Sequence, residues 1–225
     1  MGMNIVEKID RMVPVKHALI SVSDKRELES FIPELIKIVP DIKIISTGGT
    51  YQKIKDILGD QANQNLVLIS NYTGQPETQG GLVKTLDFKI YLGLLTETYN
   101  EHHQNDLTRT LASPIDMVVV NLYPFEATVA KSDVTVEQAR GNIDIGGPCM
   151  IRASAKNFIR VASVVDPLDY SGIIDEMKQN NGCTSLEKRF ELAQKAFGHT
   201  NQYDANIFKF LSQQSFDTVS SCYQS

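Results

Sequence analysis

The stretch from Ile115 to Phe125 reads IDMVVVNLYPF. Its first six residues are apolar except for Asp116, and it then breaks into asparagine, tyrosine and proline. A short apolar run bounded by turn residues predicts a strand covered on both faces, ending near Val120. Working outward, the same kind of run recurs at 17–22 (HALISV), 42–46 (IKIIS), 66–69 (LVLI) and 161–165 (VASVV). Helical patterns lie between them. Ser23 and Asp24 offer N-caps before a helix over 27–38, with Pro33 marking a late start or a kink. A helical pattern follows Thr47 to Leu58, another covers 150–157, and a long one covers about 185–211. Asp166 and Pro167 read as a helix start. The segment 71–85 reads as a loop on its glycines and Pro76, and Phe88–Leu95 reads as partly extended. Strands alternating with helices predict an α/β fold with a mainly parallel central sheet between two helical layers. Ligands of such sheets bind at the carboxyl ends of strands. Polar or glycine-rich segments stand there at 21–25, 46–50, 121–123 and after Val165.

Composition narrows the class. The chain has 225 residues, 42% hydrophobic and 22% charged, which is ordinary for a globular protein. Lys plus Arg is 22 against 27 for Asp plus Glu, a net charge of −5. That balance argues against a dedicated nucleic-acid binder, which needs surplus cations along a phosphate backbone. It leaves room for a local basic pocket that takes one small anion. The three cysteines, Cys149, Cys183 and Cys222, form no CxxC pair and fit a reducing compartment. Cys149 reads as a buried thiol. No apolar stretch is long enough to span a bilayer, and the first residues lack the apolar core of a signal peptide. A cytoplasmic protein without membrane partners is expected.

Two segments carry chemistry on residue type alone. STGGT (46–50) lies between a strand and a helix, so its backbone N–H groups and hydroxyls suit a phosphate monoester. The alternative is a tight strand-to-helix turn with no ligand. Lys25, in SVSDK (21–25), either meets the same phosphate as a point charge or is a solvated lysine after a cap. NIDIGGP (142–148) reads as a turn, and the following helix carries Arg152 and Lys156 one turn apart on one face. Either Asp144 at the mouth of that helix and Lys156 further along face one ligand, or Arg152 and Lys156 form a solvated cationic face. His102 and His103 read as wet surface, because adjacent helical residues diverge.

Taken together, SVSDK, STGGT, YTGQPE, GGLVKTL, VVVNLYPFEATVA, NIDIGGP, RASAKN and KAFGHTNQYDA occur in one order with sensible spacing. Over residues 16–211 the chain resembles the IMP cyclohydrolase domain of the bifunctional purine biosynthesis enzyme. The resemblance implies a methylglyoxal-synthase-like three-layer fold with extra C-terminal helices, an N-terminal extension over 1–15 and a fraying tail over 212–225. It implies dehydrative ring closure of 5-formamidoimidazole-4-carboxamide ribonucleotide to inosine monophosphate. On that basis Lys84, Tyr123, Asp144 and Lys156 are the positions associated with ring closure. Ser21, Ser23, Lys25, Thr47, Gly48, Gly49 and Thr50 form the phosphate cradle, and Thr85, Asn121, Ile145 and Gly146 complete the substrate contacts. His199 fits a family helix motif and reads as packing with a satisfied imidazole. No metal or redox cofactor is called for by an intramolecular dehydration. Expected partners are the purine ribonucleotide substrate and product, with a homodimer left open and the family's formyltransferase domain absent from this chain.

One loop departs from the pattern. Where the family usually reads GRVKTLHP, this chain has Leu82 for the arginine and Asp87-Phe88 for the His-Pro pair. Leu82 removes a cation aimed at the base, and Asp87 is expected to pair with Lys84. That departure leaves as an alternative a purine-nucleotide-binding module with impaired catalysis, and the fold permits, more distantly, a methylglyoxal-synthase-type lyase.

Overall fold

A computed structural model describes residues 5–76, 78 and 83–224. Seven strands appear among them: β1 (Met12–Pro14), β2 (His17–Val22), β3 (Lys43–Ser46), β4 (Leu66–Leu68), β5 (Met117–Asn121), β6 (Ala162–Val164) and β7 (Cys183–Ser185). The helices are α1 (Leu28–Ile38), α2 (Gly48–Leu58), α3 (Ala62–Asn65), α4 (Ile69–Thr73), α5 (Phe88–Leu95), α6 (Glu101–Thr110), α7 (Phe125–Val129), α8 (Val136–Gly141), α9 (Gly146–Lys156), α10 (Tyr170–Gln179), α11 (Leu186–Ser212) and α12 (Phe216–Ser220). The five central strands run parallel in the order β4-β3-β2-β5-β6. The chain builds outward from β2 to β4 and then returns to lay β5 against the other side of β2. That reversal is the topological switch point, where adjacent connections depart to opposite faces and open a crevice. Register places Val22 opposite Asn121, so the 23–25 and 122–124 segments leave the sheet side by side.

The sheet is the middle of three layers. Ala18, Ile20, Val22, Met117 and Val119 face one apolar core with Phe31, Ile32 and Leu35 of α1 and Ile173 and Met177 of α10. Leu19, Val118 and Val120 face the other, with Ile90 and Leu94 of α5, Met150 and Ile151 of α9 and Ala193 and Ala196 of α11. The period of two along each strand sends alternate residues to opposite cores, which is why the runs are apolar throughout.

Several expectations are corrected. Phe88–Leu95 is a helix, because Asp87 caps it by accepting from Lys89 N–H at 2.7 Å, and Ile90 and Leu94 fall on one buried face. The expected loop begins as α4. Pro33 sits inside α1, which starts at Leu28. The N-terminal residues join the body as β1, antiparallel to β7. The tail carries α12, capped by Ser215, and Tyr223 Oη donates to Glu137 Oε2 at 2.6 Å. Cys149 is half-buried rather than buried. No helix among the described residues is long and apolar enough to cross a membrane.

Candidate active site

At the switch point lies a cavity of about 390 Å³. Three of the four proposed ring-closing residues line it: Lys84, Tyr123 and Asp144. So do Ser21, Ser23, Lys25, Thr47, Gly48, Gly49, Thr50, Thr85, Asn121, Ile145 and Gly146. Five separate segments of chain meet there. Lys156 does not join them. It ends α9 while Gly146 begins it, about 15 Å apart along an eleven-residue helix, and its side chain is exposed. Arg152, its companion on that helix, lies over the Phe197 ring at 5.6 Å.

One wall is the cradle around α2. Gly48 has φ of 32°, a conformation that strains an L side chain, and a Cβ there would meet Lys84 Nζ at 3.5 Å. The N–H groups of Thr50 and Tyr51 turn back to Thr47 carbonyl. Those of Gly48 and Gly49 begin the helix and point out of it, with the positive end of the helix dipole behind them. Lys25 Cε would stand 3.9 Å from a Cβ on Gly49, so a second ammonium group borders the same spot. The Ser21 and Thr47 hydroxyls lie 2.7 Å apart across the rim. Thr50 is different. Its hydroxyl accepts from Val22 N–H and donates to Val22 carbonyl, both at 3.0 Å, so it laces α2 to the end of β2.

Asn121 is also a brace. Its Oδ1 accepts from Asp24 N–H at 2.8 Å and its Nδ2 donates to Asp24 carbonyl at 2.9 Å. The amide thus holds the 23–25 turn against the end of β5, as a strand partner does. Two residues on, Tyr123 leaves the sheet with 55% of its surface exposed and lines the cavity.

The opposite wall is the start of α9. Asp144 Oδ1 accepts from Gly147 N–H at 2.9 Å. Burial pushes its carboxyl above the usual carboxylate range, against the pull of the Gly147 and Tyr123 N–H groups. Gly147 has no room for a side chain, since a Cβ would lie 2.5 Å from Leu122 Cδ2 and 2.6 Å from Asp144 Oδ2. A Cβ on Gly146 would lie 2.2 Å from Thr85 Oγ1. The Lys84–Thr85 pair therefore bridges both walls, its ammonium beside Gly48 and its hydroxyl against Gly146.

Asp87 does not pair with Lys84. Its carboxylate is occupied by Lys89 N–H and by Gln75 Nε2 at 2.8 Å, a helix-capping arrangement. Leu82 lies outside the described residues. His199 is not satisfied: its Nε2 is buried without a hydrogen-bond partner among the described residues. Lys195, one turn away, takes the nearby Asp166 and Asp169 carboxylates at 2.8 and 2.9 Å. Burial lowers the His199 pKa. His103 Nδ1 accepts from Glu97 N–H at 3.2 Å, a local contact at the start of α6. Reading the sequence missed Gly147, Ile143 and Met150 in the lining. It also missed Tyr203, whose hydroxyl accepts from Asp144 N–H at 2.8 Å. The motif around Tyr203 was visible, but no spacing relates it to a loop 59 residues earlier.

Comparison with known proteins identifies the family. The MGS-like domain model matches residues 27–149, and the AICARFT/IMPCHase bienzyme model matches residues 154–224. Bifunctional purine biosynthesis protein PurH of Thermoanaerobacter sp. (strain X514) is 49% identical over 199 residues, covering 88% of this chain and 38% of that protein. The protein of the same name from Bacillus subtilis (strain 168) is 46% identical over 198 residues, covering 88% and 37%. The chain thus spans well under half the length of these curated relatives. Among solved structures, that of ForH superposes with a TM-score of 0.71 at 30% identity, over 86% of this chain and 97% of that one. On these matches and on the parallel sheet with its switch-point cavity, the chain belongs to the MGS-like domain family and carries behind that domain a segment of the AICARFT/IMPCHase bienzyme family.

Proposed function

We propose that this chain is an IMP cyclohydrolase of purine biosynthesis, acting in the cytoplasm on 5-formamidoimidazole-4-carboxamide ribonucleotide. The observation that carries the reading is the meeting of Lys84, Tyr123 and Asp144 in one cavity with an anion cradle. The similarity to PurH proteins supports it.

The chemistry fits those groups. The carboxamide nitrogen attacks the formyl carbon of the same molecule, forming the N–C bond and a carbinolamine. One amide proton leaves the nitrogen and the formyl oxygen becomes a hydroxyl. The hydroxyl then departs with the proton of the former formamide nitrogen, so one water is released and the ring gains its C=N bond. The 5′-phosphate is held by Gly48 and Gly49 N–H, Lys25 and the Ser21, Ser23 and Thr47 hydroxyls. Anchoring one end at the sheet edge holds the two reacting arms together, which replaces much of the entropic cost of the attack. Lys84 meets the negative charge that develops on the formyl oxygen, and Tyr123 Oη donates to it. Asp144 accepts the amide proton, and its raised pKa suits it to return a proton to the departing hydroxyl. Lys156 has no part in this scheme.

The test is direct. Purified protein mixed with the formamido ribonucleotide develops the absorbance of inosine monophosphate, and Lys84→Ala abolishes it. Tight binding of inosine monophosphate without turnover would instead make the chain a nucleotide-binding module. Failure to bind it at all would overturn the cradle assignment.

A further inference from the structure

Tyr203 lies on α11, far along the chain from the loops around the cavity, and is 8% exposed. Its hydroxyl accepts from the backbone N–H of Asp144 at 2.8 Å and donates to Asn142 carbonyl at 3.4 Å. Its ring stands edge-on to Phe125, with centroids 6.2 Å apart. Phe125 begins α7, two residues after Tyr123, and also packs edge-on against Phe210 of α11. One side chain therefore touches the segments that carry both Tyr123 and Asp144.

Among the described residues, the Asp144 carboxylate itself is held only by backbone N–H groups. Gly147 N–H holds one of its oxygens at 2.9 Å, and Tyr123 N–H also pulls on it. At the backbone, Tyr203 Oη is the acceptor for Asp144 N–H. Without that oxygen, the part-buried N–H is left unpaired, and a loop with an unpaired donor shifts to find one. A shift of the 142–145 backbone moves the carboxylate directly, because its side chain has only two torsions. It leaves the phosphate cradle on α2 in place, since among the described residues the hydrogen bonds and ring contacts of Tyr203 go to Asp144, Asn142 and Phe125 and to no cradle residue.

We infer that Tyr203 is a positioning residue for the proposed ring closure, fixing Asp144 through its backbone N–H and holding the Tyr123 segment through Phe125. This rests on the cyclohydrolase reading above. It assigns the tyrosine of the KAFGHTNQYDA segment a role in setting reaction geometry as well as packing.

The test compares Tyr203→Phe with Phe125→Leu. Tyr203→Phe keeps the ring and removes only the oxygen, whereas Phe125→Leu keeps the oxygen and disturbs the packing. Tyr203→Phe is expected to lower kcat by about tenfold to a hundredfold, the cost of a small misplacement. Its KM, and its Kd for inosine monophosphate by calorimetry, stay within about twofold, because binding is dominated by the cradle. Phe125→Leu is expected to lower the melting temperature more and kcat less. Unchanged kcat in Tyr203→Phe overturns the inference. So does a fall in kcat that only tracks lost thermal stability across the two variants. Absence of turnover in the unmodified protein overturns the functional reading and this inference with it. Turnover that survives loss of the hydroxyl overturns this inference alone.

Discussion

At Gly146 the absent side chain decides whether the cavity can form. A Cβ there would sit 2.2 Å from Thr85 Oγ1, which is neither a hydrogen bond nor a contact. Gly146→Ala must turn the Thr85 hydroxyl out of its place or push the 84–85 segment, with Lys84, away from the wall. Nucleotide affinity is expected to fall about tenfold or more, read by calorimetry with inosine monophosphate. Asp144 is governed by burial. Its carboxyl titrates above the ordinary range because the charged form is poorly solvated. In the proposed ring closure it accepts a proton and must be ionised, so the acid limb of the rate profile is expected at higher pH than for a solvent-exposed aspartate. The sign for stability is opposite to that for activity. A carboxyl whose folded pKa is raised favours the folded state when protonated, and that contribution is lost as pH rises through the folded value. Asp144→Asn is therefore expected to cut turnover by about a hundredfold or more while leaving the melting temperature at neutral pH unchanged or raised. A lowered melting temperature would show that the carboxylate is held by more than Gly147 and Tyr123.

The elements show where local pattern and tertiary demand part. The run at 88–95 contains β-compatible residues, and Phe88 leaves 59% of its surface to solvent. It becomes helix because Asp87 supplies the N-cap and because Ile90, Gly93 and Leu94 meet the core along one face. Gly93 is required there, as a Cβ would lie 2.5 Å from Ser113 carbonyl. Asp87→Ala is expected to destabilise the protein by about 1 kcal/mol through loss of the cap, measured by urea unfolding. Lys84 keeps its place in that variant, since the aspartate is bonded to Lys89 and Gln75 rather than to it. α9 makes the companion point. Its start belongs to the cavity and its end does not, so Lys156→Ala is expected to leave kcat/KM within about twofold, the usual scale of an exposed change. A large loss would return Lys156 to the site.

For the molecule as a whole, Arg189 ties together distant parts of the chain, reaching the Asp10 carbonyl 179 positions away. It is fully buried. Its guanidinium donates to the carbonyls of Phe158, Thr184, Asp10 and Ile159, linking the first residues, β7 and the turn before β6. Burial pulls its pKa down to about 10. Arg189→Met leaves those carbonyls unpaired and is expected to cost about 3 kcal/mol or more of unfolding free energy, read from chemical denaturation. The parallel sheet was legible from the strand runs because a strand covered on both faces must be apolar throughout, and that pattern is local. The glycines of STGGT and NIDIGG were legible for a related reason: the positive φ of Gly48 and the close approach at Gly146 and Gly147 favour glycine, so the constraint is written in residue type. The roles of Thr50, Asn121 and Tyr203 were not, since each depends on which backbone group a side chain meets across tens of residues. The place of Lys156 outside the cavity lining was not either, because helical spacing does not say which end of α9 meets the crevice. The order of strands, and with it the crevice between β2 and β5, follows from how the helices pack onto the two faces. That packing sums many weak contacts over the whole chain, and no single segment contains it.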